Sequence, residues 1–174
     1  MRPLVEFYIA KYPDGTYLAD ASRLIATLPA DGDAGSGRLC ERLATHPRDS
    51  TATTAGVPFR KLQGNALSAM QACLAASHEN PELPHYTALL ARATVAAGDM
   101  EQAIRLYREA ATRGDLRAMV SLGLITETGR GVPASQVEAL RLYERAASLG
   151  SPDAKINLAV ALFEGQGLEK DADR

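Results

Sequence analysis

The chain has 174 residues, of which 46% are hydrophobic and 23% charged, a composition typical of a globular protein. Its 19 basic and 21 acidic residues leave a net charge of −2, which argues against nucleic-acid binding because such proteins usually carry a basic excess. No apolar run approaches the roughly 18–20 residues that span a bilayer, so we expect no membrane insertion. The 31 alanines, 22 leucines and absence of tryptophan favour helix over sheet.

The first 30 residues predict a helical hairpin. Apolar residues recur at helical spacing in 4–12 and again in 17–28. The sequence Pro13-Asp14-Gly15 between these stretches is typical of a tight turn. We therefore predict a unit of two short helices over residues 1–30.

A linker and lead-in segment over residues 31–64 follows the hairpin. Its start is rich in glycine, aspartate, alanine and serine, as in flexible linkers, and 47–58 shows no regular period. Between these stretches a short helix is predicted over 38–45. The residues on its inward side are Leu39, Cys40 and Leu43.

Residues 65–98 predict the first helix pair of a repeat array. Four small residues of its first helix lie 34 positions before equivalent apolar residues of the next pair, and 34 is the tetratricopeptide repeat length. They are Ala69, Ala72, Cys73 and Ala76. Asn80-Pro81 ends this helix, and 84–97 predicts its partner. Asp99 then provides an N-cap, with Gln102 placed as in a capping box.

The second half of the chain contains an internal duplication with a period of 36 residues. Over positions 103–132, 11 of 30 residues are identical to the residue 36 positions later, and the register never slips. This period lies within the range of helical repeat arrays. The recurring framework residues are Ala103, Leu106, Tyr107, Ala110, Gly114, Ala118, Leu122, Gly129 and Gly131 in the first copy and Ala139, Leu142, Tyr143, Ala146, Gly150, Ala154, Leu158, Gly165 and Gly167 in the second.

Each copy predicts two helices followed by a glycine-containing loop. Gly114 and Gly150 are placed to end the first helix in a left-handed conformation, and Ser151-Pro152 is a typical start for the next helix. Asp115 occupies the equivalent capping position in the first copy. The loop glycines follow a helix rather than a strand, which favours tight turns over phosphate binding. The sequence therefore predicts an all-α solenoid over 65–174. Its units are 65–98, 99–134 and 135–171.

Both copies follow the pattern A-x-R-L-Y-x-x-A-A-x-x-G-x-x-x-A-x-x-x-L-x-x-x-x-x-x-G-x-G. This pattern resembles the Sel-one-like repeat (SLR), a relative of the tetratricopeptide repeat with a longer glycine-containing loop. The resemblance covers about residues 100–171 and implies a right-handed α-α superhelix. The chain departs from the family at Leu106 and Leu142, where the family often has tryptophan. It also has Ala159 in place of the glycine that Gly123 provides in the first copy.

The resemblance implies a non-enzymatic protein–protein interaction module or adaptor, because a helical repeat array exposes an extended concave surface to another polypeptide. The expected partner is a protein or peptide. Four arginines outside the apolar face are candidates to meet acidic groups of that partner. Alternatively, they belong to a solvated helix face and pair with neighbouring glutamates. They are Arg105, Arg108, Arg141 and Arg145.

A second resemblance concerns the N-terminal part of the chain. The stretch Phe7-Tyr8-Ile9-Ala10-Lys11-Tyr12-Pro13-Asp14-Gly15 is similar to a helical segment of bacterial proteins that lies between a caspase-like peptidase domain and C-terminal SLR repeats. Residues from Cys40 to Cys73, including Gly56-Val57-Pro58-Phe59, resemble the lead-in of those proteins. This implies an alternative function, an accessory or regulatory region of a larger caspase-like peptidase. The caspase-like His and Cys dyad is absent from this sequence.

We predict no catalytic, cofactor-binding or metal-binding residues, and therefore no enzyme. The three histidines share no metal-ligand spacing, and two cysteines cannot form a four-ligand zinc site. Neither a G-x-S-x-G turn nor a Walker-type loop occurs. Tyr107 and Tyr143 are predicted to pack between helices rather than to act as catalytic phenols.

Cys40 and Cys73 leave two alternatives open. They are either buried free thiols that act as small apolar groups, or a disulfide that clamps the lead-in helix onto the first repeat. The bonded alternative implies an oxidising compartment such as the periplasm, whereas free thiols imply the cytoplasm.

The C-terminal end of the array predicts an exposed apolar surface. A solenoid normally ends in a polar capping helix, but the helix predicted over 152–164 is rich in apolar residues. They are Leu158, Val160, Leu162 and Phe163. We therefore expect either that the natural protein continues beyond Arg174 or that a second copy associates through this end.

Overall fold

The computed structural model describes residues 9, 11, 15, 19–20, 35–49, 52 and 54–163. Apart from five isolated residues, the predicted hairpin over 1–30 lies outside this part of the chain, as do the loop glycines Gly165 and Gly167. Between residues 35 and 163 the described residues form eight α-helices, and no described residue lies in a strand.

In chain order the eight helices are α1 (Ser36–Ala44), α2 (Phe59–Gly64), α3 (Ala66–Glu79), α4 (Pro84–Ala97), α5 (Met100–Thr112), α6 (Leu116–Thr128), α7 (Gln136–Ser148) and α8 (Pro152–Phe163). A loop over 45–58 separates α1 from α2, and the later helices follow one another through shorter connections. Each helix from α3 to α7 packs against the one that follows it, and α1 packs against both α3 and α4. Packing between sequence neighbours is the architecture of a solenoid, and the predicted all-α solenoid is confirmed.

The helix pair α3 and α4 has the predicted boundaries. α3 ends at Glu79, immediately before Asn80-Pro81, and α4 begins with Pro84 in its first turn and ends before Gly98. The small residues of α3 that were expected to face inward are buried. They are Ala69, Ala72, Cys73 and Ala76.

The turns after α5 and α7 repeat the same backbone geometry 36 residues apart. Gly114 has a φ of +97° and Gly150 a φ of +100°. In each turn the glycine amide and the next amide donate to carbonyl groups of the last helical turn, at N···O distances of 2.9–3.1 Å. This is the Schellman motif, which places its left-handed residue where the helix ends. The predicted role of these two glycines in ending the helices is confirmed.

The N-caps predicted at Asp99, Asp115 and Ser151 are confirmed, since each side-chain oxygen accepts a hydrogen bond from the backbone amide three residues further on. The capping box predicted at Gln102 is wrong. The side-chain oxygen of Gln102 accepts hydrogen bonds from the Arg105 guanidinium instead, because that group lies one turn further along the same helix face.

The lead-in segment differs from the prediction in two respects. Leu39, expected to face inward, is 39% exposed, whereas Cys40 beside it is fully buried. Helix α2 was not predicted. It has six residues, of which only Leu62 is buried, so the sequence carries no apolar period that could reveal it.

The buried core consists of two clusters that meet at α4. Residues of α1 to α4 form the N-terminal cluster, and residues of α4 to α8 form the C-terminal one. Leu89 and Ala93 of α4 belong to the first cluster, whereas Ala88 and Ala91 belong to the second. Helix α4 therefore joins the lead-in segment to the repeats.

Candidate functional site

The repeat framework residues lie in the interior of the array. Nine of them are 8% exposed or less: Ala103, Tyr107, Ala110, Ala118, Leu122, Ala139, Tyr143, Ala146 and Ala154. Leu106, Leu142 and Leu158 are partly buried against the same core, so Leu158 is covered in part, as its place in the repeat framework predicts. Gly129 and Gly131 have positive φ values of +67° and +78° in the loop after α6. These residues build the scaffold on which the surface grooves are formed.

Both framework tyrosines are packed between helices. The Tyr143 ring is 1% exposed, and its hydroxyl donates a hydrogen bond to the Glu127 carboxylate at 2.9 Å. The same ring lies against Gly123, where an added Cβ would be 2.4 Å from Cε1. Burial raises the pKa of Tyr107 and of Tyr143, which keeps both phenols protonated.

The four candidate arginines lie on the exposed faces of α5 and α7. Arg105 and Arg141 each pair with a glutamate on their own helix. Arg145 donates to the Thr112 carbonyl at 3.4 Å, and Arg108 is exposed. Exposed ion pairs are weak, so these guanidinium groups can exchange partners easily. Their role in binding an acidic partner stays a prediction.

An apolar groove of about 330 Å³, which was not predicted from the sequence, lies between α3 and α5. Its lining residues are Leu67, Met70, Gln71, Leu74, Leu90, Thr94, Gln102 and Leu106. Leu67 is 73% exposed and Leu74 is 47% exposed, whereas Leu90 and Thr94 of α4 are buried. The groove thus has a buried floor and exposed apolar walls.

The amino-acid pattern of α3 explains how the groove forms. Small alanines on the inner face of α3 pack against the neighbouring helices. Leu67, Met70 and Leu74 recur at i, i+3 and i+7 on another face and line the groove. The side-chain amides of Gln71 and Gln102 add hydrogen-bonding groups to the lining. Apolar residues at helical spacing outside the alanine face were the signal that could have revealed this groove.

A second cleft, of about 380 Å³, lies beside the N-terminal ends of α4 and α6. It contains Glu41 and His85, with 3.9 Å between Oε1 and Nε2, and the carboxyl group of Asp115. Asp115 is already engaged, because its Oδ1 accepts the Ala118 amide at 2.6 Å, and burial raises the pKa of this carboxyl group. Among the described residues that line the cleft, none is a serine, threonine, cysteine or lysine that these groups could activate as a nucleophile.

Over the ranges that the structure describes, no group of three His, Cys, Asp or Glu residues is placed to hold a metal ion. Within the same ranges, no helix has both the length and the apolar character needed to cross a bilayer.

A disulfide bond joins Cys40 of α1 to Cys73 of α3, with 4.6 Å between the Cα atoms. Both cysteines are fully buried, in the N-terminal cluster of the core. Of the two alternatives for these cysteines, the structure therefore has the bonded one. The bond attaches the lead-in helix to one wall of the groove.

Arg92 of α4 anchors the segment that follows α1. It is only 6% exposed, and its guanidinium donates to three backbone carbonyls. The acceptors are Ala44 at 2.8 Å, Thr45 at 3.1 Å and Val57 at 2.6 Å. Arg92 thus holds both ends of the 45–57 loop against α4. Nothing in the sequence distinguishes this arginine from the exposed ones.

The structure is that of a helical-repeat protein of the solenoid class. Its helix pairs recur every 36 residues, its Schellman turns are repeated, and each helix packs against its neighbours in sequence. A family model for the Sel1 repeat matches residues 94–115, 116–151 and 152–174. The three matched segments, which together make up 81 of the 174 residues, are similar to Sel1 repeats, and the resemblance inferred from the duplicated pattern is confirmed. Repeats of this kind generally mediate protein–protein interaction and are generally non-enzymatic.

The boundaries of the matched segments differ from the boundaries of the repeat units predicted from the sequence. The segments begin at residues 116 and 152, which are again 36 positions apart, and they group α6 with α7 rather than α5 with α6. Each of these helices packs against both of its sequence neighbours, so either grouping describes the same array. The match begins at residue 94, so it includes only residues 94–98 of the predicted first unit over 65–98.

The crystal structure of a Sel1 repeat protein from Oxalobacter formigenes has a similar fold, with a TM-score of 0.57 and 24% sequence identity. The similarity covers 96% of this chain and 64% of that one, so this chain spans less than two thirds of the length of that protein. No curated protein matches the sequence.

Proposed function

We propose that this chain is a non-enzymatic interaction module that binds an apolar segment of another polypeptide in the groove between α3 and α5. The exposure of Leu67 and Leu74 in a concave site carries this proposal. Grooves lined by apolar side chains, with a few polar groups, are the usual form of a binding site. Helical repeat proteins use such surfaces to hold other chains.

The groove is suited to binding because its floor is fixed in advance. Leu90 and Thr94 are buried in α4, which packs against both α3 and α5, so little side-chain ordering is needed when a ligand enters. Burying the exposed part of one leucine contributes on the order of 1 kcal/mol. The amides of Gln71 and Gln102 can bond the backbone of the bound segment and set its position.

The test is affinity capture with three baits: the wild-type chain, the Leu67→Glu/Leu74→Glu groove variant and an Ile156→Glu control. All three positions are exposed, at 73%, 47% and 58%, so a charge at any of them leaves the core intact. We expect a displayed peptide library and a cell extract to yield ligands that the wild type and the control retain and the groove variant loses. Retention of the same ligands by the groove variant would contradict the proposal, as would a wild-type chain that captures none.

We further infer that the protein functions in an oxidising compartment, such as the periplasm. The fully buried bond between Cys40 and Cys73 supports this, because such bonds form and persist where thiols are not kept reduced. Thiol labelling of protein taken from its natural cell, denatured without reductant, should detect no free thiol. Two labelled cysteines per chain would instead assign the protein to the cytoplasm.

A further inference from the structure

We propose that the groove between α3 and α5 binds its partner as an extended, uncharged segment that has apolar side chains at every second position. This inference rests on the proposed function, since it concerns the same groove, and it specifies the conformation, the charge and the side-chain pattern of the bound segment. It is carried by two glutamine side chains, Gln71 on the α3 wall and Gln102 on the α5 wall.

The floor of the groove favours apolar side chains. Leu90 is 8% exposed and Thr94 is fully buried, and both belong to α4. The Thr94 hydroxyl donates to the Leu90 carbonyl at 2.8 Å, so its one proton is already used. A carbonyl or carboxylate group that reached this floor would find no side-chain donor there, whereas an apolar group gains by leaving water.

The Gln102 side chain can only donate to a bound segment. Its Oε1 atom accepts hydrogen bonds from Nε and Nη2 of Arg105, at 3.0 Å and 2.6 Å. Because a guanidinium group has no acceptor, the amide oxygen must face it, and both lone pairs of that oxygen are used. The Nε2 amino group, which pairs with no residue in the part of the chain that the structure describes, is left for a carbonyl oxygen of the segment.

The Gln71 side chain can both donate and accept. It is exposed, and among the residues that the structure describes it has no hydrogen-bond partner. A primary amide has two donors and two acceptor lone pairs, so Gln71 can bind the N–H and the C=O of a ligand backbone together. This requires a backbone whose own groups are not already paired.

The two amides therefore select an extended backbone over a helical one. Inside a helix each N–H and C=O group pairs within the helix, which leaves no backbone group for the walls of the groove to bind. An extended segment directs successive side chains to opposite faces and its N–H and C=O groups sideways. When every second side chain points to the floor, those groups face the two walls that carry Gln71 and Gln102.

The length of the groove sets how much of the segment it holds. Leu67 and Leu74 are seven residues apart on α3, which is about 10.5 Å along the helix axis. An extended chain covers this length in about three residues, since it rises about 3.3 Å per residue. The volume of about 330 Å³ lies at the lower end of the roughly 300–1,000 Å³ of ligand pockets, as expected for a site that takes a few side chains.

The charges around the groove favour an uncharged segment. Between Ala66 and Ser77, α3 has no acidic or basic residue. On α5 the nearest charged residues, Glu101 and Arg105, form an ion pair with each other. A charged side chain in the groove would give up its hydration without an opposite charge to meet it, which is unfavourable.

The test uses the full chain and a displayed library of random nine-residue peptides. The selected peptides should have apolar residues at alternate positions and few charged residues. The tightest-binding peptide is then made with a ¹³C-labelled backbone, and its Cα chemical shifts in the complex should be those of an extended chain. Its binding should be lost in Leu67→Glu/Leu74→Glu, which places the peptide in the groove.

A glutamine variant tests the contact to the backbone of the same peptide. Gln71→Met removes the amide and keeps an apolar side chain of similar length, so it should weaken binding about 5- to 30-fold through the loss of two neutral hydrogen bonds. Gln63→Met makes the same change at an exposed position of α2 outside the groove and should leave the affinity unchanged. Both variants should keep the circular dichroism of the wild type.

Two results would overturn this inference while the proposed function stands. One is a set of helical chemical shifts in a peptide whose binding requires Leu67 and Leu74. The other is an affinity for that peptide that Gln71→Met leaves unchanged. A chain that binds no peptide, or binds equally well after Leu67→Glu/Leu74→Glu, would overturn the inference together with the proposed function.

Discussion

Replacing Gly123 by alanine tests the packing between repeats most directly. Gly123 lies in the middle of α6, where alanine normally stabilises a helix relative to glycine by up to about 1 kcal/mol. Here we expect the opposite sign. The added Cβ would lie 2.4 Å from Cε1, 2.9 Å from Cδ1 and 3.0 Å from Cζ of Tyr143, whereas carbon atoms pack at about 3.5–4.0 Å.

The size of the effect follows from how little the ring can move. The Tyr143 side chain is 1% exposed and its hydroxyl is bonded to Glu127 at 2.9 Å, so a retreat of about 1 Å disturbs both its neighbours and that hydrogen bond. Overpacking costs about 1–3 kcal/mol, and a weakened hydrogen bond about 1 kcal/mol more. After subtracting the gain in helix propensity, we expect a net loss of about 1–3 kcal/mol. This corresponds to a melting temperature lower by roughly 3–10 °C.

Thermal and urea unfolding of Gly123→Ala and a matched control measure this loss. Gly64→Ala is the control, because Gly64 also lies in a helix and has open space where the Cβ would be placed, so it should be neutral or slightly stabilising. The double variant Gly123→Ala/Tyr143→Leu should recover part of the loss, since the shorter side chain leaves room for the Cβ. The reasoning is refuted if Gly123→Ala is as stable as the wild type, or if the two substitutions act independently.

Three further predictions concern stability. Gly150→Val should lower the free energy of unfolding by about 1–2 kcal/mol because Gly150 has a φ of +100°. Gly35→Val should change the melting temperature little, because Gly35 has a φ of −58° and open space around it; equal effects of the two substitutions would contradict this prediction. Burial, together with Arg117, Arg92 and Arg48, lowers the pKa of His46 from 6.5 to about 4. Between these pH values the unfolded chain binds more protons than the folded one, so stability should fall as the pH drops through this window. The denaturant midpoints at pH 7 and pH 4.5 should differ less in His46→Gln than in the wild type, and an identical pH dependence would count against this prediction. Cys40→Ala/Cys73→Ala removes a bond between residues 33 positions apart and should reduce the free energy of unfolding by about 3–4 kcal/mol in the chain-entropy model. Chemical denaturation measures this loss, and a loss below about 1 kcal/mol would show that the bond contributes little.

Features that depend on local chemistry could be predicted from the sequence. The left-handed glycines Gly114 and Gly150 and the N-caps at Asp99 and Asp115 each depend on a few consecutive residues. Helix α4 has its predicted bounds because Asn80-Pro81 precedes it and Gly98 ends it. The place of this chain beside a caspase-like peptidase stays a prediction, since nothing in the described residues bears on it.

Features that depend on distant segments were decided by the tertiary structure. Arg92 is buried because three carbonyl groups from 44–57 converge on it, and helix α2 forms with a single buried residue, Leu62. The groove exists because α3 and α5 both pack against α4, which exposes Leu67 and Leu74 beside a buried floor.

The sequence by itself thus determined the repeat, its helices and its turns, because backbone conformation and capping are set by neighbours along the chain. The burial of a particular side chain depends instead on which helices come together in space. For that reason Cys40 is fully buried while Leu39 beside it, which was also expected to face inward, is 39% exposed, and the packing of α1 against α3 and α4 separates them.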